Sequence, residues 1–470
     1  MSEVEKTYVE DIDRSVYDII DHAKPSLVVD SGLTEEVVRL ISKEKNDPEW
    51  MTEFRLKALE QYNKMSLPNW GYPLDELNMD NIITYVRPDT NMKESWEDVP
   101  DEIKNTFERL GIPESERTSL AGVGAQYDSE VVYHNVKKEV EEMGVVYTDM
   151  ETALNGPYAD MVKEHFMKLL PINDHKFMAL HGAVWSGGSF VYVPKGVQVD
   201  IPLQSYFRMN AEGSGQFEHT LIIVEEGASL HFIEGCSAPK HSRANLHAGC
   251  VELYVAKNAR LRYSTIENWS KNMYNLNSKR ALIKENGIME WVSGSFGSHT
   301  SYLYPMTILQ GDNSKMEYTG ITFASNGQSL DTGVKVIHNG ANTSSHLFAK
   351  SISRDGGLST FRSEVTVGKN AKNSKSSTSC ESLMLDSNSR SDTIPVININ
   401  CDDVSVGHEA KIGQIGDEVI FYLMSRGIKE EDAKALVVGG FAEPIAKQLP
   451  LEYAVEMNNL IHLEMEGTIG

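Results

Sequence analysis

The sequence is poor in cysteine. Four occur in 470 residues, Cys236, Cys250, Cys380 and Cys401, and no two form a C-x-x-C pair. Zinc-ribbon spacing and ferredoxin-type cluster runs are thereby excluded. So sparse a set cannot staple a secreted scaffold, and a reducing compartment is the default. Positive charge is also short: 44 Lys and Arg against 68 Asp and Glu leave a net charge of −24. That balance argues against nucleic acid or an anionic membrane as a partner, because phosphates attract a positive surface. The opening MSEVEKTYVEDIDR is acidic and has no apolar run, so no secretory signal is expected and the cytoplasm is the expected location. Phe177 to Pro194 lacks Asp, Glu, Lys and Arg but carries His181, Ser186, Ser189 and three glycines. It reads as buried strand and turn rather than a membrane span. No G-x-x-x-x-G-K-[ST] loop is present, so the chain is not expected to hydrolyse ATP. There is no G-x-S-x-G elbow either. The WSGGS run at Trp185 lacks the strand-to-helix setting of a phosphate loop and points to tight packing.

What is present divides the chain into three. A hydrophobic share of 40% and a charged share of 24% describe a globular protein. The length exceeds one ordinary core unless a repeat stretches it. Residues 1–150 read as an N-terminal helical region and linker. Val37, Val38, Leu40 and Ile41, then Met51, Phe54, Leu56, Ala58, Leu59 and Tyr62, have helical spacing, with Thr34 at the start and a break at Asp47-Pro48. Ser119 to Gly144 has no clear assignment. Residues 151–415 change to Val, Ile, Tyr, Phe, Ser, Thr, Asn and Gly, the composition of short strands and tight turns. Residues 416–470 return to helix. Asp417 is placed as a cap, Arg426-Gly427 as a stop, and further helices over 429–438 and from Leu451. This block could cap the stack or dock a partner.

The middle region repeats. A turn residue followed by apolar alternation recurs at Gly196, Gly227, Asn258, Asn286, Asn313, Gly340, Asn370 and Asp403, at gaps of 31, 31, 28, 27, 27, 30 and 33. Gly, Asn and Asp tolerate positive φ, so each unit can turn sharply there. A unit of this size cannot bury its apolar face alone, whereas stacked units share one core. The pattern predicts a parallel β-helix; a β-sandwich with evenly spaced hairpins is the competing reading.

Four stretches then stand out: SLAGVGAQYDSEVVYHN from Ser119, AVWSGGSFVYVPKGV from Ala183, HFIEGCSAP from His231 and FYLMSRGIKEEDA from Phe421. With the closing LPLEYAVEMNNLI, they resemble the SufB/SufD family of iron–sulfur cluster assembly proteins, its SufB branch in particular, over nearly the whole chain. The resemblance implies a right-handed parallel β-helix core flanked by helical regions, with the C-terminal helices docking a SufC-type ATPase. It implies a second core subunit, SufD or another SufB copy, and sulfur from a cysteine desulfurase or sulfur carrier. It implies an assembly scaffold rather than an enzyme, with a transient iron–sulfur cluster as cargo.

On residue chemistry alone, Cys236 in EGCSAP reads as a small buried hydrophobe, the commonest fate of a free cysteine. The resemblance makes it the sulfur acceptor, since a thiolate is the group that attacks a sulfur donor. Cys380, His408 and Glu409 offer thiolate, imidazole and carboxylate, all suited to iron. The resemblance assigns them to the nascent cluster. Cys380 and His408 lie ten and five residues past successive turn residues; residues one turn apart in a solenoid can be neighbours, and the spacing leaves contact open. Many SufB proteins have Glu-His-Glu where this chain has Gly407-His408-Glu409, and some carry an assembly cysteine where this chain has Ser389. The Gly-His-Glu run approaches the SufD pattern, so an interaction subunit without its own cluster is the alternative. A carbohydrate-active β-helix enzyme would need clustered acids and bases along one groove, which the repeats do not supply. No flavin fingerprint is found.

Overall fold

The computed structural model describes residues 15 and 17–466. Near the N-terminus, Thr34 Oγ1 accepts the N–H of Val37 at 3.3 Å and caps the helix Glu35–Glu44. The chain turns at Asn46 and resumes as the helix Glu49–Lys64, with Pro48 at its N-cap. There the missing N–H of proline costs nothing. This second helix packs on Lys176–Val184, a helix buried from Phe177 to its end. The expectation of strand and turn over Phe177–Pro194 is therefore corrected: its first half is helix, and Ser189–Val193 is strand. An element wrapped on all sides shows no apolar period, so helix and strand read alike. Ser119 to Gly144 holds an antiparallel hairpin, Gly122–Tyr127 with Glu130–Val136. Its first strand joins the main sheet beside Leu203–Arg208.

The β-rich region is a parallel β-solenoid of about eight turns, built from a ten-stranded and a thirteen-stranded sheet. In the ten-stranded sheet, Ser229–Ser237, Arg260–Asn268, Ile288–Phe296, Lys315–Ala324, Ser344–Ser353, Ser374–Met384 and Val404–Gln414 stack without a register shift. The turn residues Gly196, Gly227, Asn258, Asn286 and Asn313 have positive φ as anticipated. In the next two turns the positive φ falls on Asn342 and Asn373 instead of Gly340 and Asn370. Asn258, Asn286, Asn313 and Asn342 each stand two residues ahead of their strands. That fixed lead, more than the freedom of glycine, selects the turning residue; asparagine tolerates the left-handed region.

Alternation along each strand divides the side chains between two environments. Leu230, Phe232, Leu261, Tyr263, Met289, Trp291, Met316, Tyr318 and Leu347 fill the interior. Ile233, Ile266, Val292, Ile321 and Ile352 face outward under the helices Glu430–Ala446 and Leu451–Glu466. The C-terminal helices thus lie along the flank of the stack, where Gln448 bonds Thr319 and Glu464 bonds Ser325. They do not cap its end, as one reading had it. Asp417 sits in the first turn of the helix Asp417–Met424 behind Gly416, which supplies no side-chain cap; its charge still suits the helix N-terminus. The helix placed over 429–438 runs on to Ala446 through Pro444.

The two ends of the solenoid differ. At the N-terminal end the outermost strands, Glu130–Val136 and Val146–Asp149, run antiparallel to their neighbours and are largely shielded from solvent. At the C-terminal end, Arg390–Ile399 and Val404–Gln414 each pair on one side only. Ile397, Ile399 and Ile412 stand on the interior-facing side of this last turn, yet are 44%, 49% and 48% exposed because no further turn covers them. Among the described residues, no helix is long and apolar enough to cross a membrane.

Candidate functional site

Cys236 lies on the interior face of Ser229–Ser237, level with Phe207 on one side and Glu267 on the other. It is buried among Phe207, Met209, Trp269 and Met273. Burial pushes its thiol well above the ordinary range, and the carboxylates of Glu234 and Glu267 add to the shift. In this conformation Cys236 is a protonated thiol, and nucleophilic attack requires a change of surroundings.

Beside it runs a network of buried charges. Lys279 Nζ donates to Glu234 at 2.6 Å and to Thr265 at 2.8 Å. Tyr263 donates to the same Glu234, and Asn275 donates to Glu267 at 2.8 Å. His247 reaches Glu218 at 2.6 Å. Burial opposes its charge, but Glu218 and Asn275 outweigh it and hold the imidazole at about 9. Each charge has a partner, which is the condition for burying it.

Two interior cavities continue from this network. The first lies among Thr265, Glu267, Lys279, Trp291 and Tyr318. The second lies among Tyr318, Ala349, Phe361 and Cys380. Tyr318 lines both. The strands of Cys236 and Cys380 are five steps apart in the sheet, about 24 Å at the usual strand spacing. The two residues differ by an even register offset and share the interior face.

At the far end, Cys380 Sγ lies 3.8 Å from His408 Nε2 on the neighbouring strand. Thr378 is level with His408 and Cys380 with Ala410, so the pair meets diagonally on one face. Burial pushes the Cys380 thiol up to about 12. Glu409 follows His408 directly and therefore points to the opposite face. There it pairs with Lys411 at 3.1 Å, both side chains being exposed. The fold thus brings Cys380 and His408 together, leaves Glu409 apart from them and packs Cys236 separately in an apolar cluster. Cys401 is half-buried against the core.

One grouping was missed in the sequence: His181, His219 and Cys250 converge in the core. A signal did exist for part of it, since His219 and Cys250 are separated by 31 residues, one repeat length.

Fold and site together define a β-solenoid closed at one end and open at the other, with a buried thiol inside and a thiol–imidazole pair at the open end. Residues 207–441 match the SUF system FeS cluster assembly, SufBD core domain, and residues 33–205 match the SufBD protein N-terminal region. Relatives described as iron–sulfur cluster assembly SufBD family proteins include those of Staphylococcus saprophyticus, Staphylococcus haemolyticus and Staphylococcus aureus. Each is 52% identical over 439 residues, covering 93% of this chain and 94% of the relative. The chain belongs to the SufBD family of iron–sulfur cluster assembly proteins.

Proposed function

We propose that the chain is the cluster-building scaffold of its assembly system. The observation that carries the reading is the 3.8 Å approach of Cys380 to His408 at the uncovered end, on the same interior face of the solenoid as Cys236. Sulfur arrives when the Cys236 thiolate attacks the outer sulfur of a persulfide on a desulfurase or carrier. The donor S–S bond breaks, the donor cysteine leaves as thiolate, and Cys236 becomes the persulfide. Incorporation as sulfide then takes two electrons per sulfur from an external reductant. Cys380 and His408 hold iron of the nascent cluster. Glu409 joins them only after a local rearrangement of the backbone that follows His408, since the two face opposite sides of one strand.

Both thiols are protonated where they are buried, so the scaffold must open to work. An ATPase of the SufC type is the proposed source of that motion. Val419, Phe421, Tyr422 and Met424 on Asp417–Met424 are exposed and suit a protein partner. The bare strand edges and uncovered isoleucines beside Cys380 suit a second core subunit, SufD or another copy, since an unpaired edge is a template for pairing.

The test is anaerobic reconstitution of the purified chain with iron, cysteine and a cysteine desulfurase, followed by absorbance and Mössbauer spectroscopy. The wild type should assemble a cluster, and Cys380→Ala should assemble none while keeping its fold. Gly407-His408 and the averted Glu409 favour a second reading, a SufD-like interaction subunit. A wild type that binds no cluster, even with its ATPase, selects that reading.

A further inference from the structure

We propose a second metal site, distant in the fold from the open end: a closed centre for one thiophilic divalent cation, zinc or ferrous iron, on His181, His219 and Cys250. One nitrogen of each ring and the cysteine sulfur lie within 4.8 Å of one another, and all three residues are fully buried. They come from three elements. His181 is on the helix Lys176–Val184; His219 and Cys250 are level with each other on adjacent strands, His219–Val224 and Cys250–Val255. Two imidazoles and a thiolate within such reach suit zinc and its neighbours.

The surroundings orient the ligands. His181 Nδ1 lies 3.0 Å from the carbonyl of Ala248. A carbonyl only accepts, so Nδ1 carries the hydrogen and Nε2 presents a lone pair. That Nε2 faces His219 Nδ1 at 3.0 Å. On its other side, His219 Nε2 stands 3.2 Å from Glu252 Oε2 without the alignment of a hydrogen bond, a buried polar atom lacking a partner. Glu252 is itself fixed by the N–H groups of Met167, Leu169 and Leu170 at 2.5, 2.6 and 3.0 Å. A carbonyl behind one imidazole and a carboxylate behind the other are the outer partners that metal-ligating histidines use.

The wall is apolar and shut. Phe166 packs on the His219 ring at 4.2 Å, with Trp185 and Met178 around it. The nearby Arg55 is neutralised by Asp47 at 2.6 Å. Binding replaces the His181–His219 hydrogen bond by two metal–nitrogen bonds, the hydrogen of His219 Nδ1 leaving while Nε2 carries one toward Glu252. It also releases the Cys250 proton to solvent as the metal–sulfur bond forms, with no change of oxidation state. The centre would tie the buried helix to the first turns of the solenoid. With no exposed ligand, it would fill as the chain folds.

The full-length protein, purified without added metal and washed with chelator, should retain one zinc or iron per chain by mass spectrometry. Protein grown on cobalt should show a thiolate-to-cobalt charge-transfer band. Cys250→Ser should lower bound metal at least tenfold and abolish the band, whereas Cys236→Ala and Cys380→Ala should keep both. If Cys250→Ser fails to fold, the wild-type metal content and cobalt band still decide. A wild type with only trace metal, no cobalt band and a urea midpoint indifferent to refolding in zinc would overturn the proposal. Because Cys380→Ala separates the two centres, failure here is distinct from failure of the scaffold reading.

Discussion

The early and late turns of one solenoid solve the same packing problem with different chemistry. Near Cys236 the interior holds charges in pairs and triads: Glu234 with Lys279 and Tyr263, Glu218 with His247, Glu267 with Asn275. Near Cys380 it holds hydroxyls. Thr343 meets Ser374 at 2.6 Å, Ser345 meets Ser376 at 2.8 Å and Ser351 meets Ser382 at 2.8 Å. A buried charge that loses its partner is heavily penalised, which fixes the early turns in one arrangement. A hydroxyl both donates and accepts and finds a new partner cheaply. The stack is stiff where it is closed and adaptable where it is open, and the Cys380–His408 pair lies in the adaptable part.

The comparison can be broken at several points, beginning with association. Ile397→Lys combined with Ile412→Lys should make a self-associating chain monomeric in analytical ultracentrifugation, with its urea midpoint nearly unchanged. Persistence of the larger species would place the interface elsewhere. Next, Lys279→Met should destabilise the fold by about 3–5 kcal/mol, because it strands the buried carboxylate of Glu234. The same change at the open end, Lys411→Met, removes an exposed pair and should leave the urea midpoint nearly unchanged. Similar urea curves for the two variants would erase the contrast.

Asp128 sharpens the closed end through pH. Burial raises its carboxyl from 3.8 to about 6, against the pull of the Ala211 and Asn210 N–H groups. Between those values the folded chain holds a proton that the unfolded chain has released. Stability therefore falls as pH rises through that window and stays lowered above it. Asp128→Asn keeps the accepting oxygen and suits the positive φ of 51°. It should gain roughly 2 kcal/mol at pH 8, shrinking as pH is lowered towards 4. A gain independent of pH would refute the assignment. The smallest effect is expected at Ser351→Ala, about 1 kcal/mol by thermal unfolding, since Ser382 is left beside other hydroxyls.

Several of these features could be read before any coordinates. The turn residues showed because positive φ confines the choice to Gly, Asn and a few others. The meeting of Cys380 and His408 was only left open, because the turn residue ahead of Cys380 was placed at Asn370 and the positive φ falls on Asn373. The averted side of Glu409 was available, since consecutive strand residues face opposite ways. Lys176–Val184 was illegible because a fully wrapped helix has no polar face to set a period. Lys279 was illegible for another reason. A lysine in a strand reads as solvated, and its partner Glu234 is 45 residues away, which is no multiple of the repeat.

The hairpin strand Glu130–Val136 sets an upper limit on numbers. A stack that accepted neighbours at both ends would lengthen without stopping. Here the outermost strands at one end are largely shielded and those at the other largely exposed, which favours growth along the axis in a single direction. If two such chains met end to end, each would cover the other's most exposed strand edges. Stoichiometry would then be decided by which strand edges are left bare, with two as the expected count.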